Sequence, residues 1–178
     1  TLTKGVVHID TAVDPNGSES DKVRLFGYIN AALETGFVNP IDVAIRTDFK
    51  FDISAYRKLD EIPYDFIRKR LSILVEKENN KLMITKGAFQ NVLEVCDQAE
   101  FGEGKIIRID AIRDQIKDFY EKYSTRGFRI LGVAYKEIKE VVGFDKEQEK
   151  GMIFLGFLAL FDPPKEGVKE TIEDMKRL

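Results

Sequence analysis

The ten residues Met152 to Phe161 contain no polar side chain, and two prolines, Pro163 and Pro164, stand just beyond them after Asp162. As a helix this run would reach only ~15 Å, half of a hydrocarbon core of ~30 Å, so it is too short to cross a membrane. A continuous apolar run of this length reads instead as a buried strand, central in a sheet. The prolines fix φ and remove backbone donors, so the strand must stop there. Whatever else the chain does, it has to build cover around this strand.

The rest of the sequence supplies that cover. Val6 to Ile9 reads as a short strand, followed by the turn-rich surface loop Asp14-Pro15-Asn16-Gly17-Ser18. From Asp21 to Thr35 the apolar residues Val23, Phe26, Ile29 and Leu33 recur at helical spacing, with Ser20 as cap and Gly36 as terminator. Asn39 and Pro40 then start a second helix as cap and first position. It turns Ile41, Ala44 and Ile45 inward and leaves Asp42 exposed towards another part of the domain.

Tyr56 to Ile62 and Arg70 to Glu76 read as strands, and Glu78-Asn79-Asn80 as a hairpin turn into a strand from Lys81 to Thr85. A short helix is predicted from Ala88 to Cys96 and a strand from Lys105 to Ile109. Asp110 caps a longer helix with Ile112, Ile116, Phe119 and Tyr123 on its apolar stripe, ending at Gly127. Strands from Arg129 to Ile138 and from Met152 to Phe161 flank the charged loop Asp145 to Lys150, and a last helix follows Pro164. Runs of neighbouring strands mixed with helices predict an α+β fold: a mostly antiparallel sheet flanked by helices, in one domain of 178 residues.

Composition removes several functional classes. Lys and Arg number 28 against 31 Asp and Glu, so there is no excess of positive charge to coat a nucleic-acid backbone. One cysteine, Cys96, and one histidine, His8, make neither a disulfide framework nor a zinc site, and both read as structural. A Gly-x-x-x-x-Gly-Lys-Ser/Thr phosphate loop is absent.

Four segments carry residues suited to a ligand. In Lys86-Gly87-Ala88, Gly lets backbone approach a flat molecule, Ala adds little bulk and Lys offers charge to phosphate, although the tripeptide is equally an ordinary turn. In Tyr64-Asp65-Phe66, followed by Arg68-Lys69-Arg70-Leu71, an aromatic precedes a basic cluster. A ring there can stack on a base or simply join the core. Asp42 can accept a hydrogen bond from an amino group, or can sit in its first turn for the macrodipole alone. Arg129 presents a guanidinium fork suited to phosphate oxygens, or is an exposed strand-start arginine.

Thr1-Leu2-Thr3, Lys86-Gly87-Ala88 and Asp162-Pro163-Pro164-Lys165, in that order, resemble the cytoplasmic nucleotide-binding domain of P-type cation-transporting ATPases, cut between its two hinges. The resemblance covers Thr1 through Lys165 and into the following helix, with hinge remnants near residues 1–5 and 162–178. It implies an ATP-binding domain whose pocket is formed by Asp42 at the adenine amino group, a stacking Tyr64, Lys69, an apolar wall at Leu71, Lys86, Gly87 and Ala88, and Arg129 at the phosphates. Phe66 is the alternative stacking ring. ATP would arrive as Mg-ATP, with no metal ligands in this chain.

In that family the phosphate-accepting aspartate lies in an Asp-Lys-Thr-Gly-Thr-Leu-Thr signature. The catalytic residue is therefore expected just before Thr1, and the isolated chain is expected to be inactive. The implied partners are the phosphorylation and actuator domains of a pump, and the implied location is the cytoplasmic side of a cell membrane. Asp60 to Phe66, and Phe89-Gln90 where many relatives have Pro-Glu, are most similar to magnesium-translocating bacterial members. The His-Pro pair of heavy-metal pumps is missing, since His8 precedes Ile9. The competing expectation is a regulatory or interaction module of the same fold that has lost nucleotide binding.

Overall fold

The computed structural model describes residues 5–36, 39–102, 104–141 and 143–163. Thr1-Leu2-Thr3, Pro164, Lys165 and the final predicted helix lie outside the described residues. In chain order the elements are β1 (His8–Val13), α1 (Asp21–Leu33), α2 (Pro40–Asp48), β2 (Arg57–Ile62), β3 (Arg70–Lys77) and β4 (Asn80–Ala88), then α3 (Phe89–Leu93), β5 (Cys96–Phe101), β6 (Lys105–Arg108), α4 (Arg113–Ser124), β7 (Arg129–Glu137) and β8 (Met152–Phe161). They form one sheet in the order β2-β3-β4-β7-β8-β5-β6, with β1 also paired to β8. All pairs are antiparallel except β5 with β8. The architecture is the expected α+β one.

The apolar strand β8 has a neighbour on each side over nearly its whole length. β7 runs along one edge. On the other edge β5 pairs with its first half, Met152 to Phe154, and β1 with its second half, Phe157 to Phe161. Gly156 sits where the two meet, at φ +150, and a Cβ there would overlap the Val13 carbonyl oxygen. Both faces are covered. Val23, Phe26 and Ile29 of α1 and Ile45 of α2 pack on Leu71, Ile73, Ile84, Val133 and Leu158. Phe89 and Val92 of α3 and Ile116 of α4 pack on Met83, Phe154 and Phe157 on the other side. Full burial of each such side chain contributes about 1.5–3 kcal/mol, and burial on both faces is why β8 lacks the alternation of a half-exposed strand.

Helix starts follow the capping residues. Val23 N–H donates to Ser20 Oγ (3.2 Å), and Asp42 N–H donates to Asn39 Oδ1 (3.0 Å) with Pro40 at the first turn. Elsewhere the structure corrects the sequence reading. β1 begins two residues later than expected and runs on to Val13. α1 ends on an extended Glu34 rather than on Gly36. The helix from Ala88 shrinks to the single turn of α3, because Cys96 to Phe101 form a strand that the polar Asp97, Gln98 and Glu100 conceal. Asp110 lies in a 3-10 turn, and α4 starts from Ile112 with no side-chain cap.

Candidate functional site

Strand alternation decides which face each candidate side chain occupies. Along β4, Ile84 and Lys86 face the α1/α2 side, whereas Met83, Thr85 and Gly87 face the α3 side. In register, Leu71 stands opposite Lys86 across β3, and Val133 opposite Lys86 across β7. Lys86 therefore emerges among apolar neighbours. It is 6% exposed, and its ammonium pairs with the Asp42 carboxylate at the start of α2, whose residue is 0% exposed. The expected exposure of Asp42 is thus corrected: the residue is turned inward by its cap and held there by Lys86.

Asp42 is surrounded by donors. Lys86 Nζ donates to Oδ1 and Asn39 Nδ2 to Oδ2. Glu34 adds a side-chain hydrogen bond, and burial together with the Asp42 charge pushes the Glu34 carboxyl up from 4.5 to about 8. Glu34 Oε1 is buried without a partner among the described residues. Beyond it, Glu61 accepts from Thr35 N–H and Thr35 Oγ1, both at 3.0 Å, and from Lys58. Desolvation raises the Glu61 carboxyl, but these donors outweigh it and hold it below its usual range. A cavity of about 640 Å³ opens beside this group, lined by Thr35, Gly36, Lys58, Leu59, Asp60, Glu61 and Pro63. None of the candidate ligand residues lines it.

Pro63 to Lys69 form the loop between β2 and β3. Tyr64 and Phe66 stand edge to face, ring centroids 5.7 Å apart, with 50% and 87% of their surfaces exposed. Neither joins the core. Lys69 is exposed and has φ +51, an uncommon conformation for a residue with a Cβ. That conformation aims its carbonyl at β4, where Ala88 N–H donates to it (2.9 Å). Gly87 makes the approach possible: a Cβ on it would overlap the Lys69 carbonyl oxygen and stand 2.6 Å from Arg70 Cα. The close backbone contact that Gly87 permits is thus with its own neighbouring strand.

Ala88 pairs with Leu131 of β7, and Arg129 lies two residues along from Leu131 on the same face. It is exposed, with no side-chain hydrogen bond or ion pair among the described residues. The structure thus joins Lys69, Leu71, Lys86, Gly87 and Ala88 on two paired strand ends, links Asp42 to them, and starts the next strand at Arg129. Tyr64 is tied in through its loop, where Lys69 N–H donates to Asp65 O (2.8 Å). Sequence reasoning passed over Glu34 and Glu149, took Arg68 only as part of a basic cluster, and used Asn39 only as a cap. No local pattern singles out Glu34 or Glu149, because their partners Asp42, Arg68, Arg70 and Ser72 come from elsewhere in the chain. Cys96 is buried, its thiol donating to Val92 O at 3.2 Å, and burial pushes that thiol up.

Residues 5–167 match the family described as P-type ATPase, cytoplasmic domain N. The chain belongs to that family. Among curated relatives, this N domain is 30% identical over 184 residues to the "Magnesium-transporting ATPase, P-type 1" of Escherichia coli (strain K12), covering 99% of the chain and 20% of that protein. It is 28% identical over 183 residues to a protein of the same name from Salmonella typhimurium, with the same coverage. The "Calcium-transporting ATPase 2, endoplasmic reticulum-type" of Arabidopsis thaliana is 30% identical over 140 residues, covering 67% of the chain and 13% of that protein. The N domain thus spans about a fifth of the length of the bacterial relatives it matches. None of its described helices is long and apolar enough to cross a membrane.

Proposed function

We propose that this N domain binds ATP by its base and presents the γ-phosphate to an aspartate elsewhere in a P-type pump, and that the pump transports magnesium. The observation that carries the reading is the exposed Tyr64 and Phe66 pair on a loop fastened beside Lys69, Lys86 and Ala88. Two rings held in water with no core to fill are suited to stack on a base, and the exposed Lys69 and Arg129 supply charge for phosphates. Leu71 and Ala88 give the pocket a low apolar wall, with the side-chain-free backbone of Gly87 beside them. Asp42 is 0% exposed and held by Lys86 and Asn39, so it accepts from the adenine amino group only where base entry displaces its cover; a carboxylate with about four lone-pair sites has room for that donor.

Positioning is the catalytic contribution of this domain. The phosphate-accepting aspartate belongs to the phosphorylation domain, and Mg²⁺ carried with ATP would be held by the phosphates and by residues of that domain. Residues 1–178 act as one unit, with hinges near 1–5 and 162–178 leading to the phosphorylation and actuator domains. The magnesium assignment follows the names of the bacterial relatives that align over 99% of the chain.

Titration of the labelled domain with ATP, followed by NMR, tests the reading. A pocket without a phosphate loop should bind with Kd of ~0.1–3 mM, and Tyr64→Ala should weaken it by roughly fivefold or more, as expected from a lost base stack. Lys69→Ala should also weaken it. These exposed positions are clean probes, whereas Lys86→Ala would strand the buried Asp42 carboxylate. GTP should compete poorly, because guanine offers Asp42 a carbonyl in place of an amino group. Identical titrations for the unmodified domain and both variants would remove the pocket, and equal competition by GTP would remove the role of Asp42.

A further inference from the structure

On the face of the sheet opposite Lys86, the link between β7 and β8 sends one carboxylate into the interior. Glu149 has a fully buried side chain, yet it comes from the charged stretch Asp145 to Lys150. Three donors meet it: Arg68 Nη1 at 2.5 Å, Arg70 Nε at 2.8 Å and Ser72 Oγ at 2.8 Å. Ser72 in turn shares a hydrogen bond with Thr85 of β4 (2.7 Å). The second charge on this network is Asp65, which pairs with Arg68 and accepts the N–H groups of Ile67 (2.9 Å) and Arg68 (2.6 Å). Two arginines and two carboxylates balance, which is what keeps a buried charge tolerable.

The network's position matters more than its charge. Arg68 also donates to the Pro63 carbonyl (2.6 Å), so a single guanidinium holds the first residue of the aromatic loop, its internal turn at Asp65 and the Glu149 carboxylate. Arg70, at the other end of the loop, is fixed between Glu149 and the Asn91 carbonyl (2.9 Å). Glu149 itself cannot drift: Lys136 of β7 donates to the carbonyls flanking it, Gln148 at 2.5 Å and Lys150 at 2.9 Å. Between these anchors Tyr64, Phe66, Ile67 and Lys69 are exposed, and they include both candidate stacking rings.

We propose that Glu149 is a positioning residue for the nucleotide site, holding the Tyr64–Lys69 loop in its binding conformation from behind the sheet through Arg68 and Arg70. The inference rests on the ATP-binding reading above. Glu149 touches no nucleotide. It acts by raising the fraction of molecules whose loop is correctly placed, and apparent affinity scales with that fraction.

The chain has no tryptophan, so Tyr64→Trp gives a single reporter on the loop that can still stack. In that background, Glu149→Gln and Arg68→Met are compared with the parent by the fluorescence anisotropy of the introduced indole without nucleotide, by ATP titration, and by thermal unfolding. Arg68→Met removes the contacts to Glu149, Asp65 and the Pro63 carbonyl together and leaves Glu149 with Arg70 and Ser72, so it reads out even where Glu149→Gln fails to fold. The expected result is lower anisotropy and about tenfold weaker ATP binding in folded Arg68→Met, the loss that follows if a tenth of the loops remain competent. A lowered melting temperature with unchanged anisotropy and affinity would show a purely structural network and overturn the proposal. Failure of both the Tyr64→Trp parent and the unmodified chain to bind ATP would overturn the nucleotide reading, and the anisotropy comparison would still decide whether Glu149 orders the loop.

Discussion

Lys86 and Asp42 neutralise one another at the back of the proposed pocket, and the Glu34 carboxyl beside them is pushed up by burial and by Asp42. This has a pH signature. The folded protein retains the Glu34 proton up to about pH 8, whereas an unfolded chain releases it near 4.5, so the folded state binds more protons between those values. Stability should therefore fall as pH rises from about 4.5 through 8, and level off above. Glu34→Gln should flatten this slope in urea unfolding followed across the range. A variant slope equal to that of the unmodified protein would place the titration elsewhere. The residue types at this site were legible in the sequence, since Asp42 and Lys86 stand out by cap position and motif. Their mutual pairing was not, because they are 44 residues apart and nothing local records the contact. The same holds for Glu149, one acid among several in a loop that reads as solvated.

Among the elements, the β3–β4 hairpin governs the site, since its open end carries Lys69, Leu71, Lys86 and Ala88 in register. Gly87 is the point at which the two backbones come closest. Gly87→Ala puts a methyl group against backbone atoms that cannot rotate away, so it should cost about 1–3 kcal/mol or more, read as a lower urea midpoint. Amide shifts at Lys69, Arg70 and Ala88 should move with it; an unchanged midpoint would mean that the strand ends part freely. The elements that the sequence announced were those with local chemistry: α1 and α2 through Ser20, Asn39 and Pro40, and β8 through its unbroken apolar run. β5 was hidden because three of its six residues, Asp97, Gln98 and Glu100, are polar without a period of two, and because one of its two partners, β8, lies far along the chain. Asp110 misled for a related reason: a good capping residue stands three positions before Arg113, where α4 begins, and the 3-10 turn uses it instead.

For the whole molecule, the organising feature is the adjacency of β1 and β8, whose outer ends meet at His8 and Phe161. The described chain joins the sheet at one of these residues and leaves it at the other, side by side and running in opposite directions. Tension applied across that pair does not load the ladder evenly. It concentrates on the His8 and Phe161 pairing, then on the next, so that the strands peel apart like a zipper at low force. Handles at His8 and Phe161 in a tweezers experiment should thus open the domain at lower force than handles at Asn16 and Phe161, which pull β1 and β8 past one another and strain all their hydrogen bonds together. Equal forces would mean that another part of the sheet yields first. The same ladder of hydrogen bonds is thus weak against separation at the His8 and Phe161 end and strong against sliding.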